Sequence, residues 1–550
     1  MASKSPDFEV AVVVVPEEHG KDAGGDQSVE SQNGYKRTLH SRHLQMISIG
    51  GVIGQGLFLS SGATVAIAGP AGALISYVIV GSFVYFVTMS LGELATYIPV
   101  PGAFTSYCSR FVDRSFGAAI GWNYWVSWST ILAIELTAVP IIMSFWTKVV
   151  PSWAWSAITL VIIFALNMFG ARIYGEAEYI FSLVKVLTCI VFIIVGVLTD
   201  GGVIGGEVVG FKYWSDPGAF GANPILGIID VLVIAGLTMQ GSEIVGVTAA
   251  ESRNPRRDVP LAVKQVFYRI LIFYILCIFI IGLLIPANDP RLLDKLGHQR
   301  DATVSPFTLV FVKAGISGVA SVVNAVILIT IFSCGNSCLY VAARTLTALS
   351  KEGVAPKWCG WIDKRGVPVA ALCCSTLFGF IAFLTSFLPV ETVFTFLMNT
   401  AGLAGFVTWT GISWAHYRFR RAFERQGRSL DDLPFRGPLF PYGNLYSLGL
   451  CVLIIFGQGY SAFLPPVQPL KFFLLYTGPI FFLLLWGVCQ LVLRSRIIPL
   501  EEIDLDAGKR ELAKDQELQA AEEQNELEKH EEPEAGGWKR RWRKLGRLVL

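Results

Sequence analysis

The feature that most constrains this chain is a series of long apolar runs almost free of charge. Phe472 to Leu493 holds no Asp, Glu, Lys or Arg, Ile158 to Phe169 holds none, and Val184 to Leu198 holds only Lys185. A bilayer core of about 30 Å is crossed by about 20 apolar residues in a helix. Backbone groups in lipid must be satisfied within the segment, so such runs are helices. Over the whole chain 53% of residues are hydrophobic and 16% are charged, where a soluble protein carries about 25% charged residues. The expectation is an all-α membrane protein with twelve transmembrane helices, near 45–66, 72–97, 118–147, 153–170, 179–199, 225–249, 264–286, 318–346, 367–388, 391–415, 443–463 and 471–494. Residues 301–317 read as a short extra helix before the eighth span.

Lys and Arg set the orientation. With both termini inside and counted only near the membrane, the cytoplasmic segments hold 24 of these residues and the outer loops 7. Residues 1–44 are polar and Gly-rich with no signal peptide pattern, and read as a disordered cytoplasmic tail. Residues 45–494 form the twelve-helix domain and 495–550 a charged cytoplasmic tail. In that tail Trp538, Trp542, Leu545 and Val549 share one helical face among Lys and Arg. This is either a basic amphipathic helix lying on an anionic leaflet or a basic tail with chance spacing. The tails are where regulatory proteins would bind. Ten cysteines lie in or beside apolar runs and read as buried free thiols, including Cys334 and Cys338 four residues apart.

Two spans contain interruptions. The first holds Gly50-Gly51-Val52-Ile53-Gly54-Gln55-Gly56, and the sixth holds Gly236-Leu237-Thr238-Met239-Gln240-Gly241-Ser242-Glu243. Glycine is costly within a helix, and open backbone at membrane depth must face a cavity or be buried in protein. Interruptions at the same place in spans 1–5 and 6–10 predict a five-plus-five inverted repeat of the LeuT-like kind, with broken helices 1 and 6 and a midplane site. A half-helix starting near Gly56 offers N–H groups to a carboxylate. A half-helix ending near Val52, with the carbonyls around Gly236 to Gln240, suits an ammonium. Together these poles describe the α-carbon end of an amino acid. The alternative is that the glycines only allow close helix packing.

Ionisable residues at membrane depth are expensive and mark function by default. Glu135, Lys185 and Glu243 lie inside spans, while Glu93 and Glu251 lie nearer helix ends, where structural roles are expected. Lys185 reads as the proton-coupling group, because a lysine in low dielectric releases its proton readily. A permanent ion pair is its alternative. Glu135 and Glu243 could relay protons or face a cationic side chain, and Glu243 could instead bond backbone freed at the break.

The motifs RHLQMISIGGVIGQGLFLSSG, AGPAGALISY, GELATYIPVPGAFTSY, GWNYW, YGEAEYIFSLVK, GSEIVGVTAAES, NPRRDVPLAVKQVFYRILIFY, SPFTLVF, GNSCLYVAARTLTALS and SWAHYRFRRAF occur in this order. Together they resemble the amino acid permeases of the amino acid–polyamine–organocation superfamily, and within it the fungal yeast amino acid transporter type and the bacterial lysine permease. The resemblance implies proton-coupled amino acid uptake across the plasma membrane. It places Gly54, Gln55 and Gly56, beside Ile53, at the substrate carboxylate, and Val52, Leu237 and Gln240 at the amine. It places Lys185 at the proton-linked position. Gln55 stands where the family often has Thr, which narrows the carboxylate end. Leu237 stands where an aromatic residue is common, which removes a gate over the site. The stretches SGATVAIAGPAGALISY and HYRFRRAFERQGRSLDDLPFR are most similar to lysine permeases, pointing to basic or broad-range substrates. No nucleotide loop, zinc pattern or nucleophile triad is present in the sequence, so neither an enzyme, a cofactor nor a nucleic-acid partner is expected. The rival readings are a non-transporting sensor and a proton-independent exchanger on a vacuolar membrane.

Overall fold

A computed structural model of the protein describes Leu39 and residues 41–506, except Val52, Gln55, Pro101, Arg253, Arg291, residues 293–304, Ser317, residues 388–389 and residues 465–468. The expectations for the far N-terminal tail, for the face of Trp538, Trp542, Leu545 and Val549, and for Val52 and Gln55 lie outside the described residues.

Helix α1 (Ser41–Met46) runs on as a π turn to Gly51. Helical structure stops at Ile53 and Gly54 and resumes at Gly56, leading into α2 (Ser61–Tyr97). Inside α2, Gly69 has φ 74° and ψ 169° and is followed by Pro70. Proline removes a donor and disfavours helical backbone before it, and glycine alone takes this φ without strain. The run Gly56–Tyr97 is therefore two legs joined by a kink, which explains two expected spans inside one helical stretch.

Helix α3 (Ala103–Phe111) precedes α4 (Arg114–Met143), α5 (Ser152–Asn167) and α6 (Ala171–Asp200). The second interrupted helix consists of α7 (Pro224–Met239) and α8 (Ile244–Ala249). Helix α9 (Pro255–Arg269) continues through a π turn into α10 (Cys277–Leu284). Next come the short α11 (Pro306–Lys313) and the long α12 (Val319–Lys351). The last are α13 (Val369–Leu377), α14 (Val390–Arg425), α15 (Tyr442–Gly457) and α16 (Pro469–Leu493). Among the described residues eight helices are long and apolar enough to cross a membrane, and Ser152–Asn167 and Val369–Leu384 are shorter apolar helices.

Burial sorts these helices into an inner and an outer group. The most apolar stretch of α4 is 78% buried, whereas that of α16 is 22% buried, so α4 is central and α16 faces outward. Helix α6 shows the pattern most clearly. Its buried stripe is Tyr174, Glu178, Ser182, Lys185, Cys189 and Phe192, while Ile180, Leu183, Leu187, Ile190 and Ile194 are exposed. A soluble helix buries its apolar face. Here the polar stripe points inward and the apolar one outward, as a lipid surround requires.

Buried ion pairs hold the helix ends. Glu93 of α2 accepts from Arg420 Nε at 2.5 Å and Nη2 at 2.7 Å, and from the Gly437 N–H at 2.7 Å. Glu251 pairs with Arg344 and accepts from the Tyr340 hydroxyl at 2.8 Å. After α16 the chain does not leave the domain at residue 495. Ile498 N–H donates to Val112 O at 3.0 Å, Gln426 donates to Leu500 O at 3.1 Å and Ile503 O at 2.8 Å, and Ile503 and Leu505 are buried. The first part of the expected charged tail is thus packed against α3 and α14.

Candidate functional site

The two helix breaks meet near the centre of the described structure. At the first, Gly54 is buried, and a Cβ placed on it would lie 2.8 Å from Cys334 Sγ and 2.9 Å from Glu135 Oε1. A Cβ on Gly56 would lie 2.8 Å from Thr238 Cγ2. Only glycine lets this backbone sit against α4, α12 and α7 at once. Gly54→Ala is accordingly expected to leave the protein in the membrane but cut the uptake that the resemblance implies by about tenfold or more, since displacements near 1 Å at a reacting site cost about a hundredfold. Uptake per unit of surface protein checks this, and unchanged uptake would refute the close approach.

At the second break, Gln240 has φ −56° and ψ 149° and Gly241 has φ 92°, so the helix stops and turns. The Gln240 amide donates to Ala401 O at 3.1 Å and Gly402 O at 2.9 Å, tying the break to α14. Glu243 accepts from the Gly241 N–H at 3.1 Å, from Trp409 Nε1 at 3.1 Å and from the Tyr124 hydroxyl at 3.4 Å. Its carboxylate therefore satisfies donors freed by the break, the third of the roles open to it from sequence.

Two carbonyls at the end of the first half-helix each accept from a buried cation, and one of them, Gly50 O, also accepts from the Ile53 N–H at 3.1 Å. Lys185 Nζ donates to Gly50 O at 3.0 Å, and Arg269 Nη1 donates to Ser48 O at 2.7 Å. Both side chains are buried. Cations are favourable at a helix C-terminus. Arg269 also donates to the Ser242 hydroxyl, so it bridges the two breaks. Sequence reasoning counted Arg269 with the cytoplasmic charges; the structure places it inside the protein.

Between the breaks lies a chamber of about 40 Å³ lined by Gly54, Gly56, Trp128, Ile131, Ile134, Glu135, Leu237, Thr238, Gln240, Cys334 and Met398. A water needs about 10–15 Å³ of such space, so the chamber is small, with room for a few waters at most. Four expected site residues, Gly54, Gly56, Leu237 and Gln240, line it, together with Glu135. Ile53 is buried beside it in sequence, Glu243 faces the break rather than the chamber, and Lys185 sits behind the first half-helix on α6. Trp128 and Met398 were not anticipated, since nothing in their local sequence distinguishes them from packing residues, while Thr238 lies within the second interruption but was not assigned a role. Glu178 was also missed, although its spacing to Lys185 was readable. It is fully buried and accepts from Ser333 Oγ at 2.7 Å and Asn336 Nδ2 at 3.0 Å.

The amino acid permease family profile matches residues 43–498, which include both breaks and every chamber residue. The chain belongs to the amino acid permease family. The permease is 45% identical over 472 residues to the lysine-specific permease LysP of Escherichia coli (strain K12), covering 86% of this chain and 96% of that protein. It is 39% identical to the basic amino-acid permease of Saccharomyces cerevisiae (strain ATCC 204508 / S288c), covering 88% of this chain and 86% of the relative. It is also 39% identical to the general amino-acid permease GAP1 of the same yeast, with 88% and 82% covered. The permease is a multi-pass membrane transporter and not an enzyme.

Proposed function

We propose that this permease imports amino acids across the plasma membrane together with a proton, and that basic amino acids are its main substrates. The reading takes both termini as cytoplasmic and the fold as twelve spans with a five-plus-five inverted repeat. The observation that carries it is the Lys185 contact to Gly50 O at 3.0 Å, a dischargeable cation holding the end of a broken helix. In its charged form Lys185 anchors the half-helix through that carbonyl. Once it gives up its proton it keeps a weaker, uncharged hydrogen bond, and the half-helix is freer to move. Charge-assisted hydrogen bonds are roughly twice as strong as neutral ones, so proton release and helix movement are linked.

Substrate would bind with its carboxylate at the N–H groups of Gly54 and Gly56 and its ammonium at carbonyls of Leu237 and Gln240, with Val52 and Gln55 adjoining in sequence. Ile53 would back the carboxylate end. Glu135 is the ionisable group in the chamber lining, and a carboxylate there favours a cationic side chain and can take part in proton coupling. The specificities for which these relatives are named, lysine, basic and general, agree with such a site.

The test is uptake of labelled L-lysine into permease-deficient cells at two external pH values, with competition by a panel of amino acids. Symport predicts more accumulation at the lower pH and strongest competition by lysine and arginine. A sensor would give no uptake at either pH, and an exchanger would need internal amino acid and ignore the proton gradient. Glu135→Gln is expected to lower lysine uptake by about tenfold or more, the scale of losing a charged hydrogen-bond partner in a desolvated site, while uptake of neutral amino acids falls less. Equal loss for both classes would remove Glu135 from substrate selection.

A further inference from the structure

We propose that Glu178, bridged by the Ser182 hydroxyl, receives the proton that Lys185 releases and passes it toward the cytoplasmic end of α6. This assignment rests on the symport reading above and on its orientation, in which α6 begins on the cytoplasmic side.

Glu178, Ser182 and Lys185 are spaced four and three residues apart, so they lie on one face of α6. All three are fully buried. The backbone of Glu178 is about 10 Å nearer the start of α6 than that of Lys185, at about 1.5 Å rise per residue, and the two long side chains reach toward the Ser182 that lies between them. Glu178 therefore sits between Lys185 and the cytoplasm. Lys185 is the cation that acts on it.

The bridge is an independent observation. Among the described residues the buried Ser182 hydroxyl has no hydrogen-bond partner. Buried polar groups are almost always bonded, and an exception calls for an explanation. Ser182 packs against the same residue that Lys185 bonds: a Cβ on Gly50 would lie 2.8 Å from Ser182 Oγ. A movement of the half-helix that breaks the Lys185 contact to Gly50 O therefore also uncovers the hydroxyl. A hydroxyl both accepts and donates, so it can link the ammonium to the carboxylate.

Glu178 is fixed for this task. Its two oxygens accept from Ser333 and Asn336, and Asn167 Nδ2 in turn donates to Asn336 Oδ1 at 2.9 Å. The polar path continues beyond it. The Tyr174 hydroxyl is 3.0 Å from Ser337 Oγ, the Tyr174 ring stacks on Tyr340 at 3.7 Å, and the Tyr340 hydroxyl donates to Glu251. Other titratable groups around the carboxylate and Lys185 are Cys334, Cys338 and, farther along α12, Arg344. Of these, Cys338, with Tyr174, acts with the carboxylate, Cys334 and Glu135 of α4 act with Lys185, Arg344 acts with Tyr174, and the His43 ring of α1 lies against Gly175.

The step balances. One N–H bond of the Lys185 ammonium breaks and one O–H bond forms on Glu178, leaving a neutral amine and a neutral acid. The acid then loses its proton to cytoplasmic water, and Lys185 is recharged from outside. One proton crosses per cycle.

The experiment uses the full chain in liposomes with labelled L-lysine as probe. Accumulation is driven by an inward pH gradient, and counterflow is measured with lysine on both sides and no gradient. Glu178→Gln is expected to lower gradient-driven accumulation by about tenfold or more and to slow counterflow, which needs no net proton release, much less. Glu178→Asp should restore part of the accumulation. Ser182→Ala, the milder change, should slow gradient-driven uptake severalfold without loss of protein from the membrane, and it decides the matter if Glu178→Gln does not fold. Equal loss of accumulation and counterflow in a folded Glu178→Gln protein would overturn the assignment, as would accumulation at the wild-type level in Glu178→Gln or Ser182→Ala. A wild-type protein whose lysine uptake ignores the pH gradient would overturn the symport reading itself, which separates the two failures.

Discussion

Lys185→Ala is expected to abolish pH-driven accumulation while the protein still reaches the membrane. One charge moved through a potential of about 100 mV is worth about 2.3 kcal/mol, and about 1.4 kcal/mol is a tenfold ratio. Loss of one coupled proton therefore removes more than about a tenfold concentration ratio. The fold has reason to survive. The variant loses a cation together with its contact to Gly50 O, but Arg269 still holds Ser48 O on the same half-helix. Gly50 O keeps the Ile53 N–H at 3.1 Å, so it is not left unpaired, and losing one hydrogen bond from a charged group costs about 1.5–3 kcal/mol, small for a domain of this size. Labelled lysine accumulation at two pH values, normalised to surface protein, checks the prediction. Concentrative uptake equal to wild type would remove Lys185 from the coupling step.

The second large effect concerns stability. Glu93→Ala is expected to cost about 3–5 kcal/mol, the range for breaking a buried ion pair by removing one partner. The Glu93 carboxylate accepts from both Arg420 nitrogens and from Gly437 N–H, and its Oε1 is 3.2 Å from His416 Nε2. Alanine would leave the Arg420 guanidinium buried without its carboxylate, where α2 and α14 meet. The expected result is low abundance and a clearly lower melting midpoint in detergent, with normal substrate affinity in the protein that survives. A melting midpoint like that of wild type would show that the pair contributes little.

Much of this architecture was legible because lipid leaves a chain few choices. Runs without charge had to be helices, and the glycine clusters at Gly50–Gly56 and Gly236–Gly241 marked where two of them open. Lys185 stood out because a lone cation in an apolar run needs a reason. Residue spacing along α6 also held Glu178 and Ser182 on the face of Lys185, a signal readable from four-and-three periodicity alone. The chamber was different. Trp128, Cys334 and Met398 come from α4, α12 and α14, and nothing local separates them from core packing.

What the amino-acid sequence determined by itself was the helical membrane class, the positions of the two breaks and the burial of Glu135 and Lys185, because these follow from local hydrophobicity and backbone freedom. The tertiary structure alone decided what each group touches. It turned Glu243 into a cap for the Gly241 N–H, drew Arg269 from an apparent loop charge into a bridge between the breaks, and set Lys185 on Gly50 O. Those outcomes depend on helices far apart in sequence closing on one another, and in a low-dielectric interior it is the partner, more than the residue type, that determines what a charge does.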